Sequence, residues 1–193
     1  MSFQIVALRI FSLGKKMFER FKSRKTIADE EEFYNNISHL KQFSNPKLIY
    51  KIYQQYELDF FNGDHSIEHW NRVHLNALKL ADHYNIGSPV FELFALFHDS
   101  RRENDYHDKG HGQRGGEFAL SLDLSNFEIS NEDLKRLFFA CANHTKPDLS
   151  DPLADDLVVQ ICWDSDRLDI GRVGIVPNKK YLFTEYAKDI LDK

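Results

Sequence analysis

The stretch Glu92-Leu-Phe-Ala-Leu-Phe-His98-Asp99-Ser-Arg-Arg-Glu103 decides the fold. Ser88 caps it, Pro89 takes the first helical position, and an apolar run from Val90 predicts a helix to about Ser100. Nothing between Val90 and Phe97 is polar except Glu92, so the helix is apolar all round until the His-Asp pair. It ends in a His-Asp pair and then in a charged loop, Arg101 to Gly112. Imidazole nitrogen and carboxylate oxygen side by side suit divalent first-row cations. A helix-end histidine answering the last carbonyls is the plainer reading of the pair taken alone.

Outward from that helix the chain keeps a helical period. Asn45-Pro46 opens a helix through Leu48, Ile49, Ile52, Tyr53 and Tyr56 that stops near Asn62-Gly63. Ser66 to about Tyr84 is a well-buried helix with His65, His69 and His74 at its start, and Gly87 follows its end. Helix resumes over Gln113 to Leu122, and Ser130 to Asp133 is a capping box that starts a helix ending at His144. Asp151-Pro152 opens a helix that runs into Asp164-Ser-Asp166-Arg167-Leu168-Asp169. Gly171 to Pro177 reads as a loop, and Asn178 to Lys193 as a last helix with Tyr181, Leu182, Tyr186, Ile190 and Leu191 inward. No stretch alternates with period two, so the fold class is all-α.

The 193 residues suit one domain with an appendage, and 42% hydrophobic with 28% charged content excludes a disordered chain. Residues 1–45 are expected to be a basic amphipathic helix over 3–21 followed by an acidic linker, with the domain proper at 46–193. Within residues 1–25, seven basic side chains face one acid, about +6, while the whole chain carries -5. A body near -11 repels phosphate backbones, so no DNA partner is expected; the arm suits its own domain, a partner subunit in a homodimer, or peripheral membrane contact. Its basic residues follow the apolar run instead of preceding it, unlike a secretory signal. Cys141 and Cys162, in apolar helical contexts, read as buried free thiols and point to the cytoplasm.

His69-Trp-Asn-Arg72-Val73, Leu96-Phe-His98-Asp99 and Asp164-Ser-Asp166-Arg167-Leu168-Asp169 together resemble the HD-domain superfamily of metal-dependent phosphohydrolases, whose signature is His, then His-Asp, then Asp. The likeness spans roughly residues 58 to 175. It implies an HD-type helical bundle in which His69, His98, Asp99 and Asp166 hold a divalent cation (Mn, Fe, Mg, Co or Ni). His65 is the rival for the His69 position, and Asp164 and Asp169 read as supporting groups. His111 and His144 stand where two-metal relatives carry extra ligands, with Asp99 as the bridge; as a loop residue and a helix-end cation they would be bystanders.

The implied reaction is hydrolysis of a phosphate ester of a nucleotide or similar small molecule by metal-activated water. Asp99, Glu103 and Asp166 are then the catalytic residues, the two aspartates ligating as well. In relatives acting on nucleotides a glutamate three places after the Asp positions the water; here Arg102 holds that place and Glu103 follows. Arg102, Lys146 and Arg167 are the expected phosphate partners, Arg114 a weaker one. His39, His74, His83 and His107 are read as exposed or structural. Two other activities of the same ligand set stay open: a di-iron oxygenase, as some superfamily members are, and a non-catalytic regulatory module stabilised by its metal.

Overall fold

The computed structural model describes residues 29–192. The expected arm helix at 3–21 lies outside them. The chain divides into two compact units after His39. In the first, α1 (Glu30–Asn36) is capped by Asp29, whose carboxylate accepts from Glu32 N, and Glu30, Glu31 and Glu32 face the positive end of its dipole.

The regular elements of the second unit's described residues are all helical: α2 (Pro46–Gln55), α3 (Ile67–His83), α4 (Val90–Phe97), α5 (His111–Leu120), α6 (Asn131–Asn143), α7 (Leu157–Leu168) and α8 (Glu185–Ile190), with short 3-10 turns in the connections after α5, α6 and α7. The helix α4 is the hub, packed against α3, α5, α6 and α7. Val90, Phe91 and every residue from Leu93 to Phe97 are buried, and burying those large side chains contributes on the order of 10 kcal/mol before chain entropy is charged. Glu92 escapes the core by accepting from Ser44 N and Oγ at 2.7 and 2.9 Å. No described helix is long and apolar enough to cross a membrane.

Several boundaries differ from the periodic reading, each for a local reason. The helix α4 stops at Phe97, with His98 as its C-cap. The helix α5 begins two residues earlier than expected: Gly110, at φ 90, turns the chain in the left-handed region and makes His111 the first helical residue instead of a loop residue. Asp156 interrupts the helix expected from Asp151; Pro152–Asp155 is a 3-10 turn, and the Asp156 carboxylate caps α7 through Val158 N and Val159 N.

The last expected helix is a correction. Described residues 178–192 hold only a 3-10 turn, Lys179–Tyr181, and the short α8, and Tyr181 is 60% exposed instead of inward. Phe183 N and Thr184 N donate to Asp164 at 2.9 and 2.7 Å, as does Thr184 Oγ1 at 2.8 Å, holding the backbone extended there so that helix can start only after Thr184. Asp164 is therefore an anchor for the C-terminal segment. Burial raises its carboxyl above the usual range against these bonds.

A close approach sets α5 in place. A Cβ on Gly112 would overlap Cys141 O, and one on Gly115 would overlap Phe97 O, so α5 lies directly on the backbones of α6 and α4. Cys141 and Cys162 are buried free thiols, both raised by desolvation.

Candidate metal centre

Four imidazoles and two carboxylates converge where α3, α4, α5, α6 and α7 meet. His69 comes from the first turns of α3, His98 and Asp99 from the end of α4, His111 from the first residue of α5, His144 from the end of α6, and Asp166 from the last turn of α7. His69 and His98 are fully buried, and Asp99, His111 and His144 nearly so. Helix ends supply these groups because side chains there can leave the apolar stripe without opening the core.

The outer nitrogen of each imidazole is tied to an acceptor. His69 Nδ1 donates to Asp169 Oδ2 at 2.8 Å, and Asp169 is itself held by Arg72 Nε at 2.7 Å. His98 Nδ1 faces Phe94 O and Ala95 O at 3.0 and 3.1 Å, His111 Nδ1 faces Asp108 O at 2.6 Å, and His144 Nδ1 faces Cys141 O at 2.7 Å. These partners assign the proton to Nδ1 in all four rings, leaving an inward lone pair on each Nε2. Yet His69 Nε2 and His98 Nε2 are 3.1 Å apart, and His111 Nε2 and His144 Nε2 are 3.0 Å apart. Two lone pairs at that separation repel unless a positive centre stands between them.

Asp99 joins the two pairs. Its Oδ2 lies 3.7 Å from both His69 Nε2 and His98 Nε2, and its Oδ1 lies 3.1 Å from His111 Nε2 and 3.6 Å from His144 Nε2. Asp166 Oδ1 stands 3.4 Å from His69 Nε2 and 3.8 Å from His98 Nε2, buried and without a hydrogen-bond partner. Donor atoms about 2.0–2.2 Å from one cation lie roughly 3.0–3.5 Å from each other, close to the spacings seen. An orphaned carboxylate oxygen and facing imidazole lone pairs are therefore a donor set that fits a divalent cation.

The electrostatics agree at the His69 pair, whereas at His144 the Asp99 carboxylate outweighs burial and raises the ring. Burial holds His98 down to about 3 and pushes His69 down despite the Asp169 bond, so both rings stay neutral, as metal ligands must be. Burial alone would raise Asp99, but the imidazoles of His98, His111, His144 and His65 gathered around it favour its ionised form and hold it well below the carboxylate range. Asp166 is likewise held low against desolvation, by His98 and Arg172.

The other expected residues fall in distinct places. His65 precedes α3, and its Nδ1 donates to Asp99 Oδ2 at 2.6 Å, so it reaches the bridging carboxylate. Arg102 is buried, with Nη1 at 3.3 Å from Asp99 Oδ1 and 3.0 Å from His111 Nε2. Arg167 spans the rings of Trp163 and Phe183, and its Nη2 donates to His144 O at 2.9 Å. Lys146 is exposed beside these groups. Glu103 is not brought to the cluster: its carboxylate lies 3.6 Å from Arg114 Nε, and its side chain is 60% exposed. Arg114 is spent within the loop on Arg101 O and on both Asp108 oxygens. Of the remaining histidines, His74 is buried against Phe43, His83 stacks on Tyr186 at 3.7 Å, and His39 and His107 are exposed.

Sequence reasoning missed Arg172. It sits in the segment read as a plain loop, donates from Nε to Asp64 O at 2.8 Å, and brings Nη2 to 3.9 Å from Asp99 Oδ2 and Nη1 to 3.7 Å from Asp166 Oδ1. A glycine-flanked arginine three residues after Asp169 was the available signal. Arg102, Arg167 and Arg172, with Thr145 and Ile170, wall a cavity of about 180 Å³ over Asp99, His144 and Asp166.

No protein-family model matches the chain, and no curated protein does. Among solved structures it is similar to the crystal structure of a predicted HD superfamily hydrolase from an uncultured Thermotogales bacterium. Identity is 24% and the TM-score 0.56, over 76% of this chain and 82% of that one. The likeness establishes a shared helical fold.

Proposed function

We propose that this chain is an HD-type metal-dependent phosphohydrolase that cleaves a phosphate ester of a small molecule. The observation that carries the reading is Asp99 between two facing imidazole pairs, beneath a small cavity lined by three guanidinium groups. His69, His98, Asp166 and Asp99 Oδ2 would hold one divalent cation; His111, His144 and Asp99 Oδ1 would hold a second. Bound there, the cations supply Lewis acidity and an ionised water at neutral pH.

The chain's own residues do the rest. Asp169 fixes the tautomer and tilt of His69, and main-chain carbonyls do the same for His98, His111 and His144, so the four Nε2 atoms need no reorientation. His65 locks the rotation of the bridging carboxylate. Arg102, Arg167 and Arg172 converge on the cavity where a phosphoryl group fits, offering planar donor forks to its oxygens as charge shifts to the leaving group. That concentration of positive charge favours an anionic substrate, which neither an oxygenase nor a structural metal module requires. Cys141 and Cys162, buried and unpaired, support a reducing compartment such as the cytoplasm.

The test is elemental analysis of the purified full chain together with phosphate release from a panel of monoesters. Two divalent ions per chain are expected. Asp99→Ala should lower the rate by at least about a thousandfold, since it removes the one group shared by both cations. An unchanged rate in a folded Asp99→Ala variant would overturn the reading.

A further inference from the structure

Two larger cavities open from the arginine-lined one, and their chemistry differs. The first, about 500 Å³, shares Thr145, Arg167 and Ile170 with it. The walls beyond are Leu149, Ile175, Val176, Tyr181 and Phe183, and no aspartate or glutamate lines it. The second, about 460 Å³, shares Arg102 and Thr145 and is walled by His107, Asp108, Lys109 and the start of α5.

The first cavity leaves apolar surface uncovered. Leu149 is 69% exposed, Ile175 54% and Val176 85%, and with Tyr181 they gather on this one opening among the described residues. Single exposed apolar side chains are ordinary, but a contiguous group beside a reactive centre marks a binding surface. Charge at its edges has one sign: Lys146 and Lys180 stand at the rim, and Arg167 at the junction keeps Nη1 buried without a hydrogen-bond partner. The one amide in the wall, Asn178, already spends its side-chain oxygen on Lys180 N. Without a carboxylate, this wall lacks the usual acceptor for a ribose diol or an amine.

We infer that the substrate is a phosphate ester of an apolar alcohol, its phosphate held by Arg102, Arg167 and Arg172 and its hydrocarbon body lying in the Leu149–Val176–Phe183 cavity. This rests on the phosphohydrolase reading and narrows it. The ester P–O bond is cleaved by water, which supplies oxygen to inorganic phosphate and a proton to the released alcohol.

The experiment compares three esters of primary alcohols, so that leaving-group chemistry is similar: methyl phosphate, 2-phenylethyl phosphate and uridine 5′-monophosphate, with the full chain loaded with Mn²⁺. The kcat/KM for 2-phenylethyl phosphate should exceed both others by about 10-fold or more, the range that burying several carbon atoms supplies. The double variant Ile175→Asp, Val176→Asp should bring the phenylethyl-to-methyl ratio toward one; both side chains are exposed, so the charges do not burden the core. Equal values for the three esters, or a preference for the nucleotide, would place the alcohol elsewhere and overturn the inference. Should none release phosphate, the phosphohydrolase reading fails, and calorimetric titration with 2-phenylethylphosphonate against methylphosphonate decides the cavity separately. Tighter binding of the former by about 10-fold, lost in the double variant, supports the apolar subsite; equal binding refutes it.

Discussion

The two imidazole pairs on either side of Asp99 resemble each other in spacing and differ in how they are backed. His69 and His98 are fully buried, share the orphaned Asp166 oxygen, and have a carboxylate, Asp169, behind one ring. His111 and His144 have only main-chain carbonyls behind them, no third carboxylate, and the Arg102 guanidinium within 3.0 Å of His111 Nε2. On the proposed reading the first pair would hold its cation the more firmly, and the second, with fewer donors and with His144 on the cavity wall, would leave positions for water and substrate. Metal affinity should therefore differ across the bridge, with the His69 side filling first.

The most severe way to break this comparison is Gly112→Ala. Its Cβ would overlap Cys141 O and stand 2.8 Å from His144 Nδ1, so α5 must back away and carry His111 with it. Overpacking of this kind costs about 1–3 kcal/mol. A lower Tm together with one bound ion per chain instead of two is expected by thermal melting and elemental analysis; two ions retained would show that the pairs do not depend on the glycine contact.

A milder test acts on the other pair. Asp169→Asn removes the charge behind His69 while keeping its shape, and should weaken the first ion about 10- to 100-fold, with the second little changed. Competition with a fluorescent chelator reads both steps. The smallest effect is expected from Arg102→Gln, which takes a positive charge away from Asp99 Oδ1 and His111 Nε2. Affinity at the second pair should rise by about 3- to 10-fold, roughly 0.7–1.4 kcal/mol, while phosphate release falls. If affinity drops instead, Arg102 is holding the pair together.

Much of the first pair was legible in the sequence, because its residues sit at the ends of strongly apolar helices. His98-Asp99 follows the hub helix directly, and His69 follows the Ser66 cap by one turn. The start of α5 was harder, since it hinges on a left-handed Gly110 and on contacts with α4 and α6 that no local period encodes. Arg172 was invisible for a related reason: it acts from a short 3-10 turn, Ile170–Val173, and two of its partners, Asp64 O and Asp99, are distant in the chain. The C-terminal segment misled because Tyr181, Leu182 and Tyr186 do follow a helical spacing, while the Asp164 carboxylate overrides it. Periodicity reports which face is apolar; it says nothing about a buried acceptor twenty residues away.

Asp164 and Asp166 are two residues apart on α7, so they project about 200° apart around the helix. One turn of one helix thus serves two masters: Asp166 faces the imidazole cluster, and Asp164 fastens the far end of the segment that forms the apolar wall. Between those fastenings, residues 171–182 supply no donor to the cluster apart from Arg172. Apart from Arg172, side chains of this segment can be exchanged without removing a donor from the cluster, so it is the stretch to randomise when the alcohol preference inferred above is to be changed.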